Sequence, residues 1–96
     1  MSIAEITRQV TPILKEYGAR YAGVFGSVAR GEDTEESDLD LVVNIEKPIG
    51  IYKFMELKEK LGHAVGREVD LVSQSTINKH LRSYLEQDLI TIYGKR

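Results

Sequence analysis

The chain has 96 residues, no cysteine and a formal net charge of -2. This length predicts a single domain, residues 1–96, built around one core, and the lack of cysteine excludes disulfides and thiolate metal sites. The slight acidity argues against direct nucleic-acid binding, which usually needs a basic surface. Because the sequence shows neither a signal-peptide pattern nor an apolar run of membrane-spanning length, we expect a cytoplasmic protein without membrane contact.

Caps and hydrophobic spacing predict elements in the order α-β-β-α-β-α-β. The first helix begins at a capping box, Ser2 with Glu5, and can end at Gly18; Pro12 within it favours a kink or an early break. The next elements are a strand at 21–25, a strand at 39–45, a helix at about 51–65, a strand at 69–72, a helix at about 76–87 with Leu81 facing inward, and a strand at 89–93. This order predicts an α/β (α+β) fold, a small mixed β-sheet flanked by helices.

Two aspartates open the second predicted strand, and a third lies within the next one. Asp38 and Asp40 are two residues apart, so strand alternation places them on one face with Cα atoms roughly 6.5–7 Å apart. Asp70 lies between two apolar residues, where a charge is costly unless it is exposed or paired. Unpaired carboxylates at this distance repel each other, and a hard cation such as Mg²⁺ removes that repulsion. If the two strands are neighbours, three carboxylates converge on one face, which is about the charge that two-metal chemistry requires.

A turn of small residues with the sequence GSVARG separates the first two predicted strands. Gly26 permits close approach of the backbone, and Ser27 offers an N–H and a hydroxyl to phosphate oxygens. A helical turn begins at Val28, and its amino-terminal end favours an anion. Arg30 can reach a phosphate or a carboxylate. The turn is neither a P-loop nor a dinucleotide fingerprint, but its position beside the aspartates predicts a phosphate site next to a metal site.

The segment after this turn, residues 32–36, reads Glu-Asp-Thr-Glu-Glu. Its simplest interpretation is a solvated loop. The sharper hypothesis is that it docks a basic surface of a partner or steers association with it.

Taken together, Gly26-Ser27-x-x-Arg30-Gly31 and Ser37-Asp38-x-Asp40-Leu41 resemble the signature of the nucleotidyltransferase superfamily that includes DNA polymerase beta. The short chain is similar to the minimal nucleotidyltransferases of prokaryotes. These are commonly antitoxins whose partner toxin is an all-helical HEPN ribonuclease. The resemblance therefore implies the nucleotidyltransferase fold, a cognate HEPN toxin as partner in a hetero-oligomer, and ATP as substrate.

The resemblance also implies roles for the site residues. Gly26 and Ser27 would hold the triphosphate, while Arg30 matches the motif without a defined role. Asp38 and Asp40 would ligate the Mg²⁺ ion bound to the nucleotide. Asp70 would complete a second Mg²⁺ site and help to deprotonate the attacking hydroxyl.

The reaction implied is attack by a tyrosine hydroxyl of the toxin on the α-phosphorus of ATP, with release of pyrophosphate. One or more AMP units would be added in this way. Two other functions stay open on the residues alone: a binding-only antitoxin that occludes the toxin, and nucleotidyl transfer to a small molecule. Extension of nucleic-acid ends is disfavoured by the net charge.

Overall fold

The structure, a computed structural model, describes residues 1–77 and 79–95, with the side chains of Leu81 and Tyr84 excepted. The described helices are α1 (Ile3–Glu16), α2 (Gly26–Arg30), α3 (Gly50–Val65) and α4 (Lys79–Glu86), with a 3-10 turn at Gln74–Thr76. The described strands are β1 (Ala19–Phe25), β2 (Leu39–Ile45), β3 (Val69–Ser73) and β4 (Ile90–Gly94). The predicted order of helices and strands is confirmed, and the helical turn expected from Val28 is present as α2 but begins two residues earlier, at Gly26. No helix within the described ranges has the length and apolarity needed to cross a membrane.

The four strands form a mixed sheet in the order β3-β2-β1-β4. β1 is antiparallel to both β2 and β4, whereas β2 and β3 are parallel. A parallel pair requires a crossover connection, which α3 provides between β2 and β3. This crossover makes the strand that begins after Asp38 the neighbour of the strand that carries Asp70.

Helices α1 and α3 cover one face of the sheet and form the main core with it. Each side chain of this core is at most 8 % exposed to solvent. The core includes Ile6, Val10, Leu14, Leu57 and Leu61 from the helices, and Val24, Leu39, Leu41, Val43 and Val69 from the sheet. Burying each such side chain stabilises the fold by about 1.5–3 kcal/mol. The core therefore fixes which side of each strand faces away from α1 and α3.

Among the described residues, α4 covers part of the opposite face. Tyr21 of β1 and Val42 of β2 are buried there, and they line a small cavity together with Leu85 of α4 and Leu89. Because side chains alternate along a strand, Asp40 points to the same face as Val42, two residues nearer the start of β2. The sheet thus offers one covered and one open region on this face, and the aspartates occupy the open region.

Local signals place the boundaries of α1 well. The side-chain oxygen of Ser2 accepts a hydrogen bond from the backbone N–H of Glu5, as the capping pattern predicts. The early break at Pro12 does not occur, since α1 continues to Glu16 with Pro12 inside it. The buried stripe of this helix continues on both sides of the proline, and packing of such a stripe outweighs local propensity.

The predicted start of the last helix at Thr76 is wrong. The hydroxyl of Thr76 donates to the carbonyl oxygen of Ser73, and the hydroxyls of Ser73 and Ser75 lie 3.0 Å apart. Such local bonds compete with helix hydrogen bonds and favour a tight 3-10 turn. Ile77 then adopts an extended conformation, and α4 begins at Lys79. Leu81, predicted to face inward, has a side chain outside the described residues.

Candidate active site

The three aspartates come together at the start of the parallel strand pair. Asp40 of β2 and Asp70 of β3 are register partners, so their side chains share a face on strands about 4.8 Å apart. Asp38 lies one residue before the first residue of β2 and is exposed, as is Asp70, whereas Asp40 is partly buried. The condition for convergence, that the Asp70 strand lies beside the Asp38–Asp40 strand, is met.

The pKa of Asp40 shows that these carboxylates interact. Burial raises the pKa of Asp40 above its ordinary value, and the negative charges of Asp70 and Asp38 raise it further. The positive charge of Arg30 acts in the opposite direction. The two neighbouring carboxylates make the ionised form of Asp40 less favourable, which is the condition that a bound cation would relieve.

The glycine turn lies directly against this carboxylate group. Phe25, the last residue of β1, pairs with Asp40 across the antiparallel ladder. Gly26 follows with a φ of 75°, and a Cβ on it would lie 3.2 Å from Cγ of Asp40 and closer still to the Oδ2 atom. A phosphate group held by the backbone of residues 26 and 27 would therefore lie beside the aspartates.

The donor set fits a divalent cation of the Mg²⁺ type, although it is not a ready-made metal cage. In the described ranges, no group of three or more His, Cys, Asp or Glu side chains is arranged to hold a metal ion. Protein sites for Mg²⁺ commonly contribute only one or two carboxylates, and the phosphates of the substrate and water supply the remaining oxygens. Asp40 with Asp38 or Asp70 meets that requirement, so the assignment of Asp38, Asp40 and Asp70 as metal ligands stays a prediction consistent with the geometry.

Arg30 makes ion pairs with two carboxylates in this structure. Its Nε atom lies 3.1 Å from Oε2 of Glu32, and its Nη1 atom lies 3.0 Å from Oδ2 of Asp88, in the segment between α4 and β4. These contacts, Glu32 first, raise the pKa of the guanidinium. Arg30 is close enough to influence Asp40, but its predicted contact with phosphate stays a prediction.

The acidic segment is not simply a solvated loop. Asp33 is only 9 % exposed in its side chain and pairs with the amino group of Met1 and with Arg67. The pKa of Asp33 is lowered, mainly by its hydrogen bond with that amino group. Sequence reasoning missed Arg67, because its partners lie more than 30 positions earlier in the chain and no spacing indicates such a contact.

Three carboxylates on neighbouring strands beside a glycine turn are the arrangement that the sequence signature of a nucleotidyltransferase implies. The family model for the nucleotidyltransferase domain of polymerase beta matches residues 8–96. The chain belongs to this family, as its sequence signature indicated.

Two curated relatives match nearly the whole chain. A protein adenylyltransferase named MntA from Thermococcus cleftensis is 34% identical over 96 residues, covering 96% of this chain and 97% of the relative. A protein of Methanocaldococcus jannaschii, provisionally named as a protein adenylyltransferase, is 39% identical over 92 residues and covers 94% of each chain. The chain is thus as long as proteins that carry this name.

Solved structures confirm the fold. One provisionally described as a minimal nucleotidyltransferase is 35% identical with a TM-score of 0.77, covering 94% of this chain and 95% of the other. A chain of a toxin–antitoxin crystal structure with AMP-PNP has a TM-score of 0.82 at 22% identity, and the match covers 94% of this chain and 74% of that chain. A chain from a structure of a tri-AMPylated Shewanella oneidensis HEPN toxin in complex with MNT antitoxin has a TM-score of 0.77 at 19% identity. This match covers 98% of this chain and 74% of that chain. At these lower identities the match shows that the fold is shared.

Proposed function

We propose that this protein is an antitoxin that transfers AMP from ATP to a tyrosine hydroxyl of a cognate HEPN ribonuclease toxin. The observation that carries the proposal is the convergence of Asp38, Asp40 and Asp70 beside the turn at Gly26. Support comes from the relatives named as protein adenylyltransferases and from the fold shared with the antitoxin of an AMPylated HEPN toxin.

In this proposal the turn and the aspartates act on the same part of the substrate, its triphosphate. The backbone of Gly26 and Ser27 holds the triphosphate, while Asp38, Asp40 and Asp70 would hold one or two Mg²⁺ ions. When bound, Mg²⁺ supplies positive charge that neutralises the phosphates and the pyrophosphate leaving group. Positioning and electrostatic stabilisation provide most of the catalysis in phosphoryl transfer, and a small domain can supply both.

The transfer forms one bond and breaks one bond. The phenolic oxygen of the acceptor attacks the α-phosphorus of ATP, and the bond from that phosphorus to the bridging oxygen of pyrophosphate breaks. The electron pair leaves with pyrophosphate, and the phenolic proton passes to the carboxylate of Asp70 and then to water. The exposure of Asp70 suits this role, since the carboxylate is accessible to both an acceptor and solvent.

The open region of the sheet explains why the acceptor would belong to another protein. Helix α4 covers Tyr21 and Val42 but leaves Asp38 and Asp70 exposed. A partner can therefore bring its own hydroxyl to the aspartates without a dedicated acceptor pocket in this chain. Because the reaction consumes ATP and targets a ribonuclease, we place it in the cytoplasm.

The test is the intact mass of the candidate HEPN toxin after incubation with this protein, ATP and Mg²⁺. We expect mass increments of whole AMP units, lost when the acceptor tyrosine is replaced by Phe. Asp40→Asn should abolish the increments, whereas Glu59→Gln, which removes an exposed charge from α3, should leave them unchanged. If Asp40→Asn still neutralises the toxin fully at equal abundance, occlusion without catalysis is the mechanism. If pyrophosphate is released only with small hydroxyl compounds, the acceptor is a small molecule.

A further inference from the structure

We propose that Arg67 is a positioning residue for Asp38: it holds the loop that presents this carboxylate to the nucleotide and its metal. The inference deepens the proposed function and rests on it for its activity readout. Arg67 lies between the end of α3 and the start of β3, in a segment to which the sequence signature assigns no role. Among the described residues, the hydrogen bonds of its side chain are with the loop that leads to β2.

The guanidinium of Arg67 binds this loop at three points through one nitrogen. Nη1 donates to the carbonyl oxygen of Thr34 at 2.7 Å and to that of Ser37 at 3.1 Å, and it lies 3.4 Å from Oδ2 of Asp33. The side chains of Arg67 and Asp33 are 17% and 9% exposed. Shielding from water strengthens such charge-assisted bonds relative to a surface pair.

Asp38 depends on this support more than Asp40 does. Asp40 lies within β2, where hydrogen bonds to β1 and β3 fix its backbone on both sides. Asp38 precedes the strand, and the described contacts hold its backbone through the residues on either side of it. The N–H of Leu39 donates to the carbonyl oxygen of Glu68 at 3.0 Å, and the carbonyl of Ser37 accepts from Arg67. Arg67 and Glu68 are consecutive, so one short segment holds both flanks of Asp38.

The positive charge of Arg67 also offsets the repulsion between carboxylates that would displace the loop. The loop carries Glu32, Asp33, Glu35 and Glu36, and it leads to the mutually repelling aspartates. Arg67 places a positive charge at the base of this loop. All three contacts are made by Nη1, so a lysine ammonium could make some of them, but its flexible stem loses more conformational freedom for each bond formed than the guanidinium does. Arginine is therefore the side chain suited to this position.

The test compares Arg67→Ala, Arg67→Lys and a matched control, Arg8→Ala. Arg8 is 74% exposed and paired only with Glu5 among the described contacts, so its replacement makes the same change in charge away from the site. Affinity for Mn²⁺ is measured by electron paramagnetic resonance on the protein with α,β-methylene-ATP, which supplies the phosphate ligands but cannot release pyrophosphate, and AMP transfer to the toxin is measured by intact mass. Loss of a residue that orients metal ligands typically costs about 10–100-fold in affinity or activity. We expect this loss for Arg67→Ala, an intermediate loss for Arg67→Lys and none for Arg8→Ala, with circular dichroism spectra matching the wild type.

A double-mutant cycle separates positioning from general destabilisation. If Arg67 acts through Asp38, Arg67→Ala should weaken Mn²⁺ binding in the wild-type background but cause no further loss in Asp38→Asn. Additive losses, or wild-type Mn²⁺ affinity in folded Arg67→Ala, would overturn the inference, as would an absence of Mn²⁺ binding by the wild type. A non-additive cycle together with no AMP on the toxin would support the inference and refute the proposed function. If Arg67→Ala does not fold, the same cycle is run with Arg67→Lys.

Discussion

Replacing Gly26 by Ala should abolish transfer at a cost in stability that a control glycine can calibrate. Gly26 has a φ of 75°, and placing an L-residue in this region costs about 1 kcal/mol. The added Cβ would also lie 3.2 Å from Cγ of Asp40, and relieving such overpacking costs about 1–3 kcal/mol more. The expected loss is therefore about 2–4 kcal/mol in the free energy of unfolding, with the Asp40 carboxylate displaced from the site.

The matched control is Gly18→Ala. Gly18 has a φ of 74°, and a Cβ on it would meet nothing within 4 Å. It precedes the first residue of β1, roughly 25 Å from Gly26 along the strand. In this control the free energy of unfolding should fall only by the cost of the left-handed backbone, about 1 kcal/mol. Such a loss lowers the melting temperature by about 4–8 °C in a domain of this size.

Urea denaturation followed by circular dichroism measures the two stabilities, and intact mass of the toxin measures transfer. A displacement of about 1 Å at a reacting centre can cost 100-fold in rate, so Gly26→Ala should lose about 100-fold or more at a temperature where it remains folded. Gly18→Ala should retain wild-type transfer. Equal activities in the two folded variants would refute the reasoning that Gly26 serves the carboxylate group.

Three further predictions concern charge, metal and pH. Asp70→Asn should reduce transfer by about 100-fold, yet it should raise the melting temperature by a few degrees in metal-free buffer at pH 7, because the charge of Asp70 raises the pKa of Asp40. This gain in melting temperature should vanish in acid, where Asp40 is protonated. A gain that persists at pH 3 would contradict this explanation. Chelation of divalent cations should abolish transfer, and excess Mg²⁺ should restore it; transfer in the presence of the chelator would exclude the metal assignment. Tyr17→Phe should lower the melting temperature at pH 7, because a hydrogen bond from Tyr17 lowers the pKa of Glu56 from its ordinary value of 4.5. That difference should shrink as the pH falls through the lowered pKa of Glu56, and an unchanged difference in acid would show that the bond contributes nothing.

Signals that act over a few residues allowed most of the fold to be predicted. Ser2 at the start of α1 and Gly66 at the end of α3 were predicted correctly, because each satisfies backbone groups of its own helix. Gly66 does so in the left-handed conformation, with a φ of 71°. The start of α4 was wrong because Ser73 and Thr76 bond to each other rather than cap a helix. Side chains of this type stabilise both arrangements, and local sequence does not decide between them.

The carboxylate group could be predicted in part for a different reason. Alternation along one strand places Asp40 relative to Asp38, but the register between β2 and β3 that pairs Asp40 with Asp70 depends on the packing of α3. The contacts of Arg67 with Thr34 and Ser37 depend on that same packing. Interactions between distant segments leave no periodic trace in a single sequence, so they became visible only in the folded chain.

The parallel pairing of β2 with β3 links ligand binding to folding. Asp40 and Asp70 meet only after α3 has crossed the sheet, so the unfolded chain has no equivalent of their site. A ligand that binds only the native state, present at 100 times its dissociation constant, raises the free energy of unfolding by about 2.7 kcal/mol. Where proteases act through the unfolded state, the lifetime of this protein would therefore rise with the concentration of any ligand bound at this site.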